Sequence, residues 1–359
     1  MSRLTYVFVH GLNGSGEYDE HYRDEPYWGN KSGDVVAEWR SWGAEAHAAS
    51  VSPQGSAWDR ACELYAQLAG TRTDYGKAHS AEYRHERFGR DFSGQALIPS
   101  WDDGTRLVLI CHSFGGVTAR LFAELLAHGS AEERAATEGE GISPLFLGGM
   151  AERIFAIATL AAPTNGTTAY DMMLDPAFDA RRVRVPLRYK LLNLLVKRAT
   201  TIRTDGRDRR DWADHDMMVD NAQVLNARIG MLPHAYYLSV ACDATMPGAD
   251  GARVPDRAVM DPLLVRTATL MGRYSGVTLG GCRIDDAWHA GDGMVNTLSA
   301  RAPFGAPQKP LDRSCIERGV WNVMGDLHAD HAFFQGGFMR VSDPHAFFRD
   351  LYELLQSLG

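Results

Sequence analysis

Cysteine is scarce in this chain of 359 residues: there are five, Cys62, Cys111, Cys242, Cys282 and Cys315. The number is odd and no pair has CxxC spacing, which excludes a disulfide framework and a thiolate metal site. Long apolar runs are missing too; none approaches the roughly 18 residues needed to span a bilayer. Basic charge is in deficit, with 37 Lys and Arg against 45 Asp and Glu and a net charge of -8. That balance gives no electrostatic footprint for nucleic acid. Repeats, low-complexity tracts and linker-like stretches are absent as well, so one domain with insertions, spanning 1–359, is the economical expectation. A strand-like run, Thr5-Tyr6-Val7-Phe8-Val9, begins almost at the first residue and leaves no room for a signal peptide. The chain as given therefore reads as cytoplasmic, or as the mature form of a secreted protein.

What is present is organised around Cys111-His112-Ser113-Phe114-Gly115-Gly116. Before it, Arg106 to Ile110 is a short apolar run that reads as a buried strand; after it, Val117 to Leu126 reads as a helix. A Ser at such a corner is held in a strained conformation with its Oγ exposed, facing the free N–H groups of the helix start. The pattern is a nucleophile elbow in which Cys111 replaces the first Gly. An ordinary strand-to-helix turn that happens to contain Ser fits the same residues. Upstream, the first strand runs into His10-Gly11-Leu12-Asn13-Gly14, a Gly-rich loop of the kind hydrolases use for half of an oxyanion hole. The N–H groups of Leu12 and Phe114 are the expected oxyanion donors.

Trp58 to Leu68 is amphipathic at helical spacing, and the polar stretch Tyr75 to Arg90 holds His79 and His85. From spacing alone, Asp59 with these two imidazoles fits a metal site no better than it fits solvent-exposed side chains. Ile154 to Leu160 and Ala235 to Val240 read as further strands. Between them Leu187, Leu191, Leu192, Leu194 and Leu195 recur at helical spacing among Arg and Lys residues. Such a helix suits either a lid at a lipid–water interface or an ordinary packed surface helix. The charge run Asp205 to Asp211 reads as a solvated loop, and Pro344 to Leu358 as a closing amphipathic helix.

Taken together, these stretches resemble the zinc-containing thermoalkalophilic bacterial lipases of lipase family I.5 and the related clostridial-type polyester hydrolases. The resemblance is carried by His10 to Gly14, Trp58 to Glu63, Asp74-Tyr75-Gly76, Arg87 to Arg90, Asp292 to Thr297, Gly319 to Asn322 and Asp330-His331. It implies an α/β-hydrolase fold: a mostly parallel sheet with helices on both faces, a zinc-binding insertion at 55–95 and a helical lid region at 168–215. It also implies a triad of Ser113, Asp292 and His331, in the chain order that fold requires, and selects Asp292 over Asp285, Asp286, Asp326 and Asp330.

The activity implied is ester hydrolysis through an acyl-enzyme, with an acylglycerol as the expected substrate. The alternative is a short-chain carboxylesterase or polyester hydrolase without interfacial activation. The family's zinc site implies Asp59, His79 and His85 as ligands of a structural Zn²⁺, with Asp205 as fourth ligand and Asp208 in reserve. Calcium is not expected, because Phe333 and Phe338 stand where the family places carboxylates. Small-molecule esters or acylglycerols, and a lipid–water interface reached through the lid, are the expected partners; nucleic acid and a transmembrane segment are not.

Overall fold

Apolar runs alternating with helix-forming segments produce a parallel sheet, because each strand must return by a crossover long enough to hold a helix. The computed structural model describes residues 4–137, 141–190, 192 and 206–359. Seven strands form the main sheet: β1 (Leu4–Val9), β2 (Glu45–Ala49), β3 (Arg106–His112), β4 (Ile154–Leu160), β5 (Tyr236–Val240), β6 (Gln308–Pro310) and β7 (Trp321–Val323). Their order across it is β6-β7-β5-β4-β3-β1-β2, and each pairing is parallel. The expected α/β architecture is the one that forms.

Seven helices matter to the site: α1 (Val35–Ser41), α2 (Ala57–Ala69), α3 (Lys77–Tyr83), α4 (Phe114–His128), α5 (Thr168–Leu174), α6 (Val219–Asn226) and α7 (His345–Gln356). Side chains alternate between the faces of a strand. Val7, Val9, Leu107, Leu109 and Cys111 therefore join the core built with α2 and α4. Tyr6, Phe8, Val108 and Ile110 join a second core with Trp39 of α1 and Phe348 and Leu351 of α7. With both faces covered, β1 and β3 read as continuous apolar runs rather than alternating ones. Each fully buried Leu, Ile or Val of β3 stabilises the sheet by about 1.5–3 kcal/mol.

Helix α2 starts where Ser56 Oγ accepts the Asp59 N–H at 3.2 Å, and it stops at Gly70, whose φ is +64°. The cap contributes about 1 kcal/mol and fixes the rotation of the first turn, hence of Asp59. After α2 the chain makes a short antiparallel ribbon, Arg72–Asp74 with Phe88–Asp91, with α3 between its strands.

The leucine-rich segment falls partly on residues 191 and 193–205, which lie outside the described residues. Its described part departs from a uniformly inward leucine stripe. Val185 and Tyr189 are buried, whereas Leu187 is 70% exposed. Among the described residues no helix is long and apolar enough to cross a membrane.

Candidate active site and metal cluster

Strand β3 delivers Ser113 to the carboxyl edge of the sheet, and α4 begins at the next residue. Ser113 is the corner, with φ +55° and ψ -131°, a conformation rare for a residue with a Cβ. Its N–H donates to Leu160 O at 2.9 Å, which ties the corner to β4. The turn demands Gly115, because a Cβ there would lie 2.2 Å from Val9 O. Cys111, in the place of the motif's first Gly, is fully buried between the sheet and α4, where its small side chain fits.

His331 Nε2 lies 2.9 Å from Ser113 Oγ, and His331 Nδ1 lies 2.8 Å from Asp292 Oδ2. All three residues are buried. The other carboxylate oxygen of Asp292 accepts the N–H groups of Met294 at 2.9 Å and Val295 at 2.7 Å, so its turn fixes its orientation. The structure thus brings Ser113, Asp292 and His331 into one hydrogen-bonded line.

Beside Ser113 runs the loop after β1. Its Gly11 packs so closely that a Cβ would lie 2.6 Å from Ser113 Cβ. Among the described residues, neither Leu12 N–H nor Phe114 N–H donates to a protein acceptor. A cavity of about 650 Å³ borders Ser113 and His331, with Leu12, Tyr170, Leu264 and Met339 among its apolar walls. That volume suits a small-molecule ligand. Phe338 also lines this cavity and Phe333 packs on Phe334. Neither side chain offers an oxygen to a hard cation.

A second cluster lies apart from this line. Asp59 on α2, His79 on α3, His85 just beyond it and Asp211 offer four ligand atoms within 4.8 Å of one another. His79 Nε2 is 3.2 Å from both Asp59 Oδ1 and Asp211 Oδ1, and His85 Nε2 is 3.3 Å from Asp211 Oδ2. His85 Nδ1 meets the Glu86 carbonyl at 2.9 Å, which leaves Nε2 for the cluster. Asp59 Oδ1, both Asp211 oxygens and both Nε2 atoms are buried without a hydrogen-bond partner. Buried polar atoms that converge without partners fit a cation between them, and two carboxylates with two imidazoles are a tetrahedral donor set. On protein charges alone, burial works against a charge on His79. The carboxylates of Asp211 and Asp59 beside it outweigh that and raise His79 to about 9. A larger cleft, about 720 Å³, borders His79 and Asp211 but touches neither Ser113 nor His331.

Among the described residues the fourth member of the cluster is Asp211, not Asp208. Asp205 lies outside the described residues. Asp208, the reserve, turns away and bonds Arg210 at 3.1 Å. Asp211 takes the place, because a bridge between Gly55 and Trp212 and a bond from Ala213 N–H to Gln54 O pin its neighbours beside α2. Nor is the charge run simply solvated: Asp211 is 1% exposed, and Arg207 Nη1 donates to Asp59 Oδ2 at 2.8 Å.

Comparison with known proteins places this chain in a family. The family model described as "Lipase-like, C-terminal domain" matches residues 3–188. Lipase 2 of Staphylococcus aureus is 31% identical over 364 residues, covering 94% of this chain and 51% of its own length. The chain thus spans about half the length of the curated relatives it matches. Among solved structures, EstA from Clostridium botulinum is 31% identical, with a TM-score of 0.80 over 99% of this chain and 87% of that one. The Staphylococcus hyicus lipase is 27% identical, with a TM-score of 0.81 over 100% of this chain and 96% of its own. The family match over more than half the chain, and the likeness to EstA along nearly all of it, show that this chain belongs to the staphylococcal and clostridial lipase family, lipase family I.5.

Proposed function

We propose that this chain hydrolyses carboxylic esters by a serine mechanism, with acylglycerols as substrates. The observation that carries the reading is the line from Ser113 Oγ through His331 to Asp292, at 2.9 and 2.8 Å, on the wall of an apolar cavity. His331 takes the proton of Ser113 Oγ as that oxygen attacks the ester carbonyl, and Asp292 holds the imidazole in the useful tautomer. The free N–H groups of Leu12 and Phe114 stabilise the tetrahedral oxyanion. His331 then protonates the leaving alcohol, and water, activated by the same imidazole, releases the acid.

Asp59, His79, His85 and Asp211 would hold Zn²⁺. With all four positions filled by protein, the ion's contribution when bound is a cross-link between α2, the α3 segment and the loop at 206–211. The insertion spans 55–95 in this reading. The lid region of this reading is 168–215, of which 191 and 193–205 lie outside the described residues. Exposed Met173, Leu174 and Leu187 together with exposed Arg181 and Arg182 support contact with a lipid–water interface.

The test is the initial rate on tributyrin taken through its solubility limit, with Ser113→Ala as the blank. A jump once droplets form, and a dead blank, support a lipase. Plain saturation below the limit with a dead blank moves the substrate to a soluble ester or polyester. An active Ser113→Ala overturns the mechanism.

A further inference from the structure

Tyr27 belongs to no regular element, yet it stands between the two parts of the site that must keep their relative position. Its ring is buried between those of His10 and His112, at centroid distances of 5.6 and 5.8 Å. Gly11 N–H donates to its hydroxyl at 3.0 Å, and the same hydroxyl lies 2.7 Å from His112 Nδ1. His112 is the residue before Ser113, fully buried, with its ring 4.7 Å from that of His331.

Proton positions follow from the partners. Burial, with the neighbouring His331 adding to it, pushes His112 well below the ordinary imidazole range, so its ring is neutral. Its other nitrogen, Nε2, is buried with no hydrogen-bond partner, whereas the buried Tyr27 O–H has no acceptor in reach but Nδ1 among the described residues. Nδ1 is then the acceptor, and the Tyr27 O–H is its donor. Gly11 N–H fills a lone pair on the same oxygen. The hydroxyl is therefore spent on two partners, one on each side of Ser113.

The two peptides flanking Gly11 show what this fixes. His10 O accepts from Arg60, whereas Gly11 N–H has only Tyr27. Gly11 O is 2.8 Å from His10 Nδ1, and Val51 N–H donates to His10 Nε2 at 3.3 Å. A trans peptide is planar, so fixing Gly11 O aims Leu12 N–H the opposite way. Gly11 has no Cβ to limit its rotation. Gly11 O also accepts from Arg60 Nη1 at 3.4 Å and Gly14 N–H at 3.3 Å. The Tyr27 bond adds to these the tie that joins this loop to the strand before Ser113.

We infer that Tyr27, backed by His112, is a positioning residue: its hydroxyl takes the Gly11 N–H and gives its proton to His112 Nδ1, locking the loop of Leu12 to the strand of Ser113. This rests on the ester-hydrolase reading above.

Tyr27→Phe in the full chain removes one oxygen and tests it on a soluble p-nitrophenyl ester. The expected result is a kcat lower by about 10²-fold with KM within about twofold, since a donor displaced by an ångström weakens the transition state more than ground-state binding. A boronic acid that forms a tetrahedral adduct with Ser113 should lose affinity by the same factor as kcat/KM. A merely structural loss would instead lower the fraction of sites titrated by a phosphonate and leave kcat per titrated site intact. His112→Asn, which keeps an acceptor near Nδ1, should retain more activity than His112→Leu. If Tyr27→Phe does not fold, that pair carries the test. Unchanged kcat in Tyr27→Phe, or equal rates for the two His112 variants, overturns the inference. Activity surviving in Ser113→Ala overturns the ester-hydrolase reading instead, so the two failures are distinguishable.

Discussion

Asp292 and His331 are joined twice: the His331 ring meets Asp292 Oδ2 at 2.8 Å, and the His331 N–H donates to the Asp292 main-chain carbonyl at 3.0 Å. The backbone bond survives any change of the Asp292 side chain. A variant here can therefore alter the chemistry of the imidazole without releasing its loop.

Asp292→Asn uses that separation. Asn keeps the shape but offers an amide where a carboxylate stood, so the imidazole is held in the wrong tautomer. The expected outcome is a kcat lower by about 10⁴-fold, with Tm within a few degrees of the parent. Steady-state rates on a soluble ester and a thermal melt check it. A loss smaller than tenfold would move the acid's role to another carboxylate.

The elbow was legible in the sequence because its causes are local: an apolar strand, small residues at the corner and a helix after it. The burial of β1 and β3 follows from the same runs, whereas the order of the strands is set by tertiary pairing. Asp211 was not legible, since Asp205, Asp208 and Asp211 are chemically alike within seven residues. What separates them is the bridge from Gly55 to Trp212, a contact between segments more than 150 positions apart. Tyr27 was missed for a similar reason. It sits in an irregular stretch with no periodicity, and its partners Gly11 and His112 are set by tertiary placement alone.

Metal removal should act on stability before it acts on chemistry. Protein purified without chelator is expected to carry about one zinc per chain by elemental analysis. Asp211→Ala should lose that zinc and several degrees of Tm. The rate at which a phosphonate labels Ser113 at 25 °C should change less than twofold, because the cluster and the Ser113 line share no residue. Rapid loss of activity on chelation with the fold intact would instead assign the metal to the reaction.

Asp330 gives the chain a pH-dependent weakness. Its carboxylate accepts the Asp261 and Ala332 N–H groups, but burial raises it from 3.8 to about 6, and the charges of Asp261 and Asp292 push the same way. The folded chain thus keeps this proton at pH values where the unfolded chain has lost it. Stability from this group is fully present below about pH 4 and falls as pH rises towards 6. Asp330→Asn cannot ionise, so its stability relative to the parent should improve by roughly 3 kcal/mol or less between pH 4 and 7. Urea unfolding of both proteins at each pH measures it; a difference that stays constant with pH would contradict the assignment.

Leu187 separates interface from chemistry. It is 70% exposed, while Val185 and Tyr189 on either side of it are buried against the core that includes Met260 and Leu264. An exposed Leu among Arg and Lys residues gains about 1.5–3 kcal/mol if it enters an apolar phase, and nothing in water. Leu187→Ser should therefore leave the rate on a dissolved short-chain ester within about twofold of the parent, since the residue touches no part of the Ser113 line. On tributyrin droplets the same variant should bind more weakly, with the half-saturating interfacial area rising by about tenfold or more. Both substrates are measured on one preparation, so a folding defect would lower the two rates together. An unchanged half-saturating area on droplets would remove Leu187 from interfacial binding, and a loss on droplets alone would place it at the lipid surface.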